Sequence, residues 1–419
     1  MSTDTTPLSG TESEFCCDEF ASMSRRSLMR GALVGGVTAT FGTTVMTMAA
    51  SPALAASAPK ILVVLSQRGA ADGLSLMVPY ADPTYYQARP TVAIAQNKLI
   101  KTDGTFGLHP NLGALGSMWD AGEMAAVHGT GLAVANRSHF AAMEEVEDAA
   151  PGSTTRSGWL NRLLGNLGTD DSLAGFALGT PPASLFGTNP AMTVRSLSAA
   201  NFGDITNRQA YLDVLWASNK SPIGKAYRTA LSNTTRLNAA KAATDNSASY
   251  PNSNLGKALA ELARVVRSDI GVTLATIDHD NWDMHVNMGS VGGGWMNNQT
   301  KTLGDSIAAF FKDLGAFRDR VVLVTISEFG RRVQENSTNG TDHGWGNVMF
   351  MFGESVVGGY HAPGGFGALA DSLDSDVKVT TDYRDVFADL VTRHLDVSAA
   401  GVFPGFIRSN GDAGLGLLT

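Results

Sequence analysis

Residues 273–285, "TLATIDHDNWDMH", concentrate side chains that can bind a metal ion. They hold two of the chain's eight histidines and three carboxylates: Asp278, His279, Asp280, Asp283 and His285. Side chains two residues apart in extended backbone point the same way, so Asp283 and His285 are expected to face one site. Their nitrogen and carboxylate ligands suit zinc, manganese or iron, whereas magnesium and calcium prefer oxygen alone. We predict a metal site here, with a polar turn as the alternative, which applies most to Asp278 and Asp280.

Four other polar loops adjoin predicted strands. They are residues 68–73 after strand 61–65, 128–140 after strand 124–128, 327–332 after strand 321–326, and 341–346 before strand 348–352. A further predicted strand, 272–277, leads into the polar residues 278–285 quoted above. In an open parallel sheet, ligands bind beyond the carboxyl ends of the strands. The five loops are therefore predicted to form one site on one rim of a sheet.

Ser138 is a candidate nucleophile at the predicted start of a helix, 138–149. A hydroxyl there lies in the positive field of the helix end, which favours an ionised oxygen or a bound anion. Arg137 and His139 flank it and complete the catalytic candidates. The alternative is an ordinary N-cap, although Ala141 three residues on provides no capping box.

Glu328 is a further candidate metal ligand. It follows the apolar strand 321–326 closely, where an unpaired carboxylate would be costly. The alternative partner for Glu328 is Arg331 or Arg332 in a salt bridge.

The pattern of apolar residues predicts an α/β fold with a mainly parallel central sheet between helices, because strands and amphipathic helices alternate. Further helices are predicted at 158–167, 255–268, 299–317 and 383–395. Residues 181–254 are rich in Asn, Ser and Ala. We interpret them as a small inserted helical cap.

The composition argues against a nucleic-acid-binding protein. The 419 residues carry a formal net charge of −8, and no run of lysines and arginines is present. Both cysteines, Cys16 and Cys17, lie near the N-terminus. The remainder of the chain must be held by its core without disulfides.

The N-terminal residues 1–58 are predicted to be a twin-arginine export signal. Arg25 and Arg26 precede a weakly apolar segment, 31–50, and small residues that allow cleavage after Ala55 or Ala58. Export would involve the twin-arginine translocase and leave a domain of residues 59–419 in the periplasm, the cell envelope or the medium. The alternative is a transmembrane anchor, which the many Gly and Thr residues of 31–50 disfavour.

Several motifs together resemble a known bacterial family. They are the arginine pair, "RGAADGLSLMVPYADPTYYQARP", "GLHPNL", "NRSHFAAMEEVE", "WDMH", "SEFGR", "TDHGWG" and "TDYRDVFADLV". In this order they resemble the twin-arginine-exported proteins of domain of unknown function 1501, which are grouped with the alkaline phosphatase and sulfatase superfamily.

The resemblance implies an alkaline-phosphatase-like fold with a metal-dependent site at the carboxyl edge of its sheet. It implies that Asp72 binds metal, that Ser138 is the nucleophile, and that Asp283, His285 and His343 form a second metal site. Glu328 and Phe329 stand where the superfamily usually has an Asp-His pair, and Phe329 cannot bind metal. One metal or an altered arrangement therefore remains open.

Three functions follow as hypotheses. The first is an exported hydrolase of phosphate or sulfate esters that uses a divalent metal, zinc first and manganese, iron, magnesium or calcium as alternatives. Ser138 would attack, and Arg68, Arg137 or Arg331 would bind the oxyanion. The second is a catalytically degenerate exported protein that binds a metal or another ligand. The third, a redox enzyme, lacks support, because no nucleotide-binding glycine motif follows a strand.

Overall fold

The computed structural model describes residues 38–41, 44–47, 59–151, 153, 157–201 and 208–419. The strands in these residues are β1 (Thr38–Phe41), β2 (Thr44–Thr47), β3 (Ile61–Gln67), β4 (Met77–Val78), β5 (Gly107–Leu108), β6 (Met124–Gly131), β7 (Gly175–Leu178), β8 (Ala191–Val194), β9 (Leu274–His279), β10 (Val321–Ile326), β11 (Arg331–Glu335), β12 (Thr341–His343), β13 (Asn347–Phe352), β14 (Gly359–His361) and β15 (Thr381–Asp382).

The α-helices of the same residues are α1 (Gly73–Leu76), α2 (Pro83–Ala88), α3 (Gly116–Asp120), α4 (His139–Asp148), α5 (Trp159–Asn166), α6 (Arg208–Trp216), α7 (Pro222–Ala242), α8 (Asn254–Arg267), α9 (Trp295–Leu314), α10 (Tyr383–Asp389) and α11 (Ala399–Val402). A 3₁₀ helix, Pro110–Leu115, precedes α3, and one π-helical turn, Leu390–His394, continues α10.

Among the described residues, one central sheet holds the strands in the order β1-β2-β8-β7-β9-β3-β10-β13-β6-β14, with β15 also on β6. Strands β8, β7, β9, β3 and β10 are parallel neighbours. Strand β13 runs antiparallel between β10 and β6, and β14 and β15 are parallel to β6. The predicted α/β class with a mainly parallel sheet between helices is confirmed.

The central strand β3 is apolar on both faces because both faces are covered. Ile61, Val63 and Leu65 belong to one core cluster, and Leu62 and Val64 belong to the other. Helices α7, α8 and α9 pack on the first face, and α4, α5 and α10 pack on the second. A strand buried on both faces needs a continuous apolar run, which explains why "ILVVL" lacks alternation.

The long helices and the main strands lie where the sequence predicts them. Strand β10 matches the prediction residue for residue, and α8 differs from the prediction 255–268 by one residue at each end. Helix α8 is amphipathic, with Leu255, Leu259 and Leu262 buried in the first core cluster. Burying each such leucine contributes about 1.5–3 kcal/mol. These strong patterns explain the agreement.

The predicted helical cap at 181–254 differs from the structure. Strand β8, within this range, pairs parallel with β7 and belongs to the central sheet. Helix α7 buries Tyr227, Ala230 and Leu237 in the first core cluster. The composition misled the prediction, because a four-residue strand and an alanine-rich helix give little hydrophobic signal. Strand β8 and helix α7 of this segment thus contribute to the central sheet and to the core.

Part of the predicted signal falls outside the described residues, including Arg25 and Arg26. Strands β1 and β2, which lie inside the predicted signal range, form a hairpin that pairs antiparallel with β8. In the part of the chain that the structure describes, no helix has both the length and the apolarity to cross a membrane.

Four buried histidines, His109, His128, His279 and His394, predict acid sensitivity. Burial lowers the pKa of each to about 4. The unfolded chain titrates near 6.5, so stability is complete above that pH and is lost as the pH falls towards 4. At pH 5 each histidine should lower the free energy of unfolding by about 2 kcal/mol relative to neutral pH.

The measurement is urea unfolding at pH 7 and pH 5 with a chelator present. His128 is the best probe, since it stacks on Phe106 and neither of its ring nitrogens has a hydrogen-bond partner among the described residues. His128→Phe should remove about a quarter of the loss attributable to these four histidines. If His128→Phe loses as much stability between pH 7 and pH 5 as the wild type, His128 does not contribute to the acid sensitivity.

Candidate metal centre

The directions of the strands bring all five polar loops to one edge of the sheet. Residues 341–346 precede β13, and Val348 at its start pairs with His128 near the end of β6. Ser66 near the end of β3 pairs with Asp278 of β9 and with Ile326 of β10. Because β13 is antiparallel, its amino end lies beside the carboxyl ends of its neighbours.

Asp283, His139 and His343 form the centre of the site. One ligand atom from each lies within 4.8 Å of the others. Nε2 of His139 is 3.6 Å from Oδ2 of Asp283, and Nε2 of His343 is 3.4 Å from Oδ1 of Asp283. Two imidazole nitrogens and a carboxylate are ligands suited to zinc, manganese or iron.

His285 extends this cluster towards solvent. Its Nε2 lies 3.0 Å from Oδ1 of Asp283 and 2.9 Å from Nε2 of His343. The side chains of Asp283 and His139 are buried, whereas that of His285 is 37% exposed. A substrate can therefore reach the cluster from the side of His285 and His343.

The far nitrogen of each histidine has a fixed partner. Nδ1 of His139 lies 2.8 Å from Oε1 of Glu328, Nδ1 of His285 lies 2.9 Å from Oδ1 of Asp342, and Nδ1 of His343 lies 2.9 Å from the carbonyl oxygen of Arg137. Such acceptors take the Nδ1 proton and orient Nε2 towards a metal. The donors present therefore fit a divalent ion.

Electrostatics keep Asp283 ionised in the metal-free protein. Burial acts to raise the pKa of Asp283, but hydrogen bonds with His139, His285 and His343 and the charge of Arg331 outweigh it and hold the pKa well below its usual range. Burial opposes protonation of His139, yet its contacts with Asp283 and Glu328 raise its pKa to about 9. Metal binding at neutral pH would release this proton.

Glu328 is predicted as a metal ligand or as a salt-bridge partner of Arg331 or Arg332. In the structure its partners are Gly69 and His139. It is buried and accepts the backbone N–H of Gly69 at 2.8 Å while holding His139 through the same oxygen. Burial would raise the pKa of Glu328, but the contact with His139 lowers it. Glu328 thus orients a candidate ligand and lies outside the ligand cluster.

Gly69 is required where the β3 and β9 loops meet. Its φ is +110°, and a Cβ there would lie 2.6 Å from the backbone nitrogen of Asp283. Only glycine allows this close approach together with a positive φ. Gly69 therefore permits the close approach of the Asp283 backbone while its own N–H donates to Glu328.

Asp72, which the resemblance implies as a metal ligand, is not brought into the cluster. Its two oxygens accept bonds from Arg89, at 2.6 and 2.9 Å, and Ser75 donates to it as well. Asp72 and Arg89 are both buried. The carboxylate is therefore occupied by a bidentate ion pair.

Two of the three arginines predicted to bind an oxyanion are committed elsewhere. Arg68 is buried between Glu147 and Asp278, at 2.6 and 2.9 Å. Arg331 is buried against Asp283. Arg137 remains, with its side chain 41% exposed and paired with Asp376. Arg137 is thus the cation that a substrate can contact.

Ser138 is the N-cap of α4, as the alternative prediction states. Its Oγ accepts the N–H of Ala141 at 3.5 Å, a long contact for a cap. The residues on either side both contact the cluster, since the carbonyl of Arg137 holds His343 and the imidazole of His139 lies against Asp283. The same position therefore serves as a cap and as a candidate nucleophile.

Three contacts escaped prediction from sequence. Asp342 supports His285, Arg331 binds Asp283, and Arg89 binds Asp72. The position of Asp342 directly before His343 was a usable signal, because a carboxylate beside a ligand often orients another ligand. The arginine partners gave no such signal.

A separate groove of about 890 Å³ lies at the opposite edge of the sheet. It is lined in part by Glu123, just before β6, and by Arg318, just before β10, so it lies at the amino ends of these strands. It is remote from the candidate metal centre and shares no residue with it.

Comparison with known proteins identifies the family to which the chain belongs. Similar solved structures include an alkaline phosphatase superfamily protein from Vibrio parahaemolyticus (11% identity, covering 82% of this chain and 72% of that one, TM-score 0.33). A phosphonate monoester hydrolase of Agrobacterium radiobacter is also similar (10% identity, 84% and 78% covered, TM-score 0.34), as is the lipoteichoic acid synthase LtaP from Listeria monocytogenes (9%, 81% and 71%, TM-score 0.32). No curated protein matches the sequence. The profile of the family described as "Protein of unknown function (DUF1501)" matches residues 59–395, and the chain therefore belongs to this family.

Proposed function

We propose that the protein is an exported, metal-dependent hydrolase of phosphate or sulfate esters with Ser138 as its nucleophile. The observation that carries the proposal is the convergence of His139, Asp283 and His343. Ser138 lies in the chain between His139 and Arg137, whose carbonyl oxygen contacts His343. A nucleophile beside a cationic centre at a helix N-terminus suits attack on an anionic ester.

His139, Asp283 and His343 would hold the ion, and His285 lies close enough to contribute. Two or three imidazole nitrogens with one carboxylate favour zinc, with manganese or iron next. When bound, the ion would supply a positive charge that lowers the pKa of a nearby hydroxyl and stabilises anionic oxygen.

Ser138 and Arg137 would have separate roles in the reaction. Oγ of Ser138 forms a bond to phosphorus or sulfur as the bond to the leaving alcohol breaks, and water then releases phosphate or sulfate from the serine. Arg137 can exchange its contact with Asp376 for an ester oxygen, because the side chain of Arg137 is 41% exposed.

The test is turnover of a panel of activated phosphate and sulfate esters. Zinc-loaded protein should hydrolyse at least one member, and chelated protein should not until zinc is restored. A panel without turnover by fully loaded protein would contradict the proposal.

A second candidate function is a catalytically degenerate protein that binds a metal or another ligand at the same edge. It is favoured by one observation, which is that Asp72 and Asp283 already carry arginine partners. Full metal content without turnover would support it.

Export through the twin-arginine translocase is the other part of the proposal. Changing Arg25 and Arg26 together to lysine is expected to leave unprocessed precursor in the cytosol, because the arginine pair is the recognised feature. Cell fractionation gives the measurement, with Arg30→Lys as the matched control outside the pair. Normal export of the double variant would contradict export through the twin-arginine translocase. The exported protein should begin at Ala56 or Pro59.

A further inference from the structure

Two buried arginines already neutralise the carboxylates around the candidate centre. Arg331 contacts Asp283, and Arg89 contacts Asp72. Both guanidinium groups are completely buried, and Nη1 of Arg331 lies 3.4 Å from Nε2 of His285. They are therefore fixed charges of the site and lie out of reach of a substrate.

The position of Arg331 is set by backbone acceptors. Its Nε donates to the carbonyl of Ala70 at 2.6 Å, Nη1 donates to that of Thr341 at 2.9 Å, and Nη2 donates to that of Trp282 at 3.2 Å. Nη2 also donates to Oδ1 of Asp283 at 2.6 Å. Moving this group would leave several buried acceptors unpaired.

Arg89 is held in the same manner. Its Nε donates to the carbonyl of Val333 at 2.8 Å, and its two terminal nitrogens form the fork on Asp72. Burial acts to raise the pKa of Asp72, but the charge of Arg89, with a smaller contribution from Arg331, holds it below its usual range. Both arginines thus act on Asp72.

A guanidinium group cannot lose its charge in a protein. A divalent ion bound to Asp72, or to Oδ1 of Asp283, would have to displace a buried cation or lie beside one. The remaining oxygen, Oδ2 of Asp283, faces Nε2 of His139 at 3.6 Å. An ion between Oδ2 and His139 would leave the bond from Arg331 to Oδ1 in place.

We infer that the centre holds a single divalent ion, and that Arg331 and Arg89 supply the positive charge that a second ion would bring to Asp283 and Asp72. The inference rests on the metal centre of the proposed function. It concerns metal stoichiometry, so it can be tested without any substrate.

The first experiment is zinc titration of chelated full-length protein by calorimetry, followed by metal analysis after desalting. One ion per chain is expected, and two tightly bound ions would overturn the inference. One ion without ester hydrolysis would leave the inference standing and remove the proposed function. Two ions with ester hydrolysis would overturn the inference and leave the proposed function standing.

The second experiment asks whether Asp72 binds metal. In the double variant Asp72→Asn/Arg89→Met both charges of the buried pair are removed together, which avoids an unpaired buried charge. Zinc affinity is expected to stay within about threefold of wild type, because affinity depends on ligands and their supports. Loss of the ion in folded protein would make Asp72 a ligand and overturn the inference.

The third experiment tests Arg331 as a positioning residue. Arg331→Met should remove the buried cation from Oδ1 of Asp283 and raise the zinc stoichiometry from one towards two, whereas Arg331→Lys, which keeps a charge, should stay at one. A stoichiometry of one in both variants, with folding checked by circular dichroism, would show that Arg331 does not exclude a second ion.

Discussion

Asp283→Ala is expected to lower zinc affinity by more than about 100-fold, since loss of a residue that only supports a ligand already costs 10–100-fold. Asp283 is the residue that all three histidines of the cluster approach, at 3.0–3.6 Å. Bound metal stabilises the folded state by about 2.7 kcal/mol when its concentration is 100 times Kd. The variant should therefore lose metal content and metal-dependent thermal stability together.

His343→Ala and His139→Ala should behave like Asp283→Ala, and Glu328→Gln should show a smaller loss of affinity. The matched control is His361→Ala, because His361 lies on β14 and its Nε2 contacts the carbonyl oxygen of Val357 at 2.8 Å. Metal analysis and thermal melts with and without chelator provide the measurements. If the Asp283, His343 and His139 variants all retain full metal content, the cluster is a structural polar network.

Ser138→Ala is expected to lower ester turnover by about 1,000-fold or more, because the variant lacks the hydroxyl that forms the covalent intermediate. Metal content should be unchanged. The lost cap should cost at the lower end of about 0.5–2 kcal/mol, since its contact with the N–H of Ala141 is long at 3.5 Å. Turnover and melting temperature therefore separate the two roles.

Ser253→Ala is the matched control for Ser138→Ala. Ser253 caps α8 through a contact of 3.0 Å with the N–H of Gly256, and Pro251 just before it lines the groove at the opposite edge of the sheet. Ser253→Ala should lose stability and retain turnover. If Ser138→Ala shows this same pattern, Ser138 is only a cap, and water or another group must be the nucleophile.

The edge of the sheet on which the candidate site lies could be predicted because strong strands end at it. The apolar strand β10 and the start of β13 are clear in the sequence, and the polar residues follow or precede them directly. The grouping of Asp283, His285 and His343 followed from that placement and from the family resemblance.

The individual partners could not be predicted because they depend on side-chain contacts between distant segments. Glu328 and His139 are 189 residues apart, and Arg68 and Asp278 are 210 residues apart. A single sequence gives the type of a buried charge but not which opposite charge reaches it. Arg331 illustrates this, because it follows Glu328 by three residues and pairs with Asp283.

The hairpin of β1 and β2 has a consequence for aggregation. Processing at either predicted position would remove both strands and leave β8 as an edge strand with unpaired backbone groups. Such edges can recruit strands from other chains. β8 is only four residues long and follows Pro190, and both features limit strand addition. The exported form would thus expose a short, self-limiting edge.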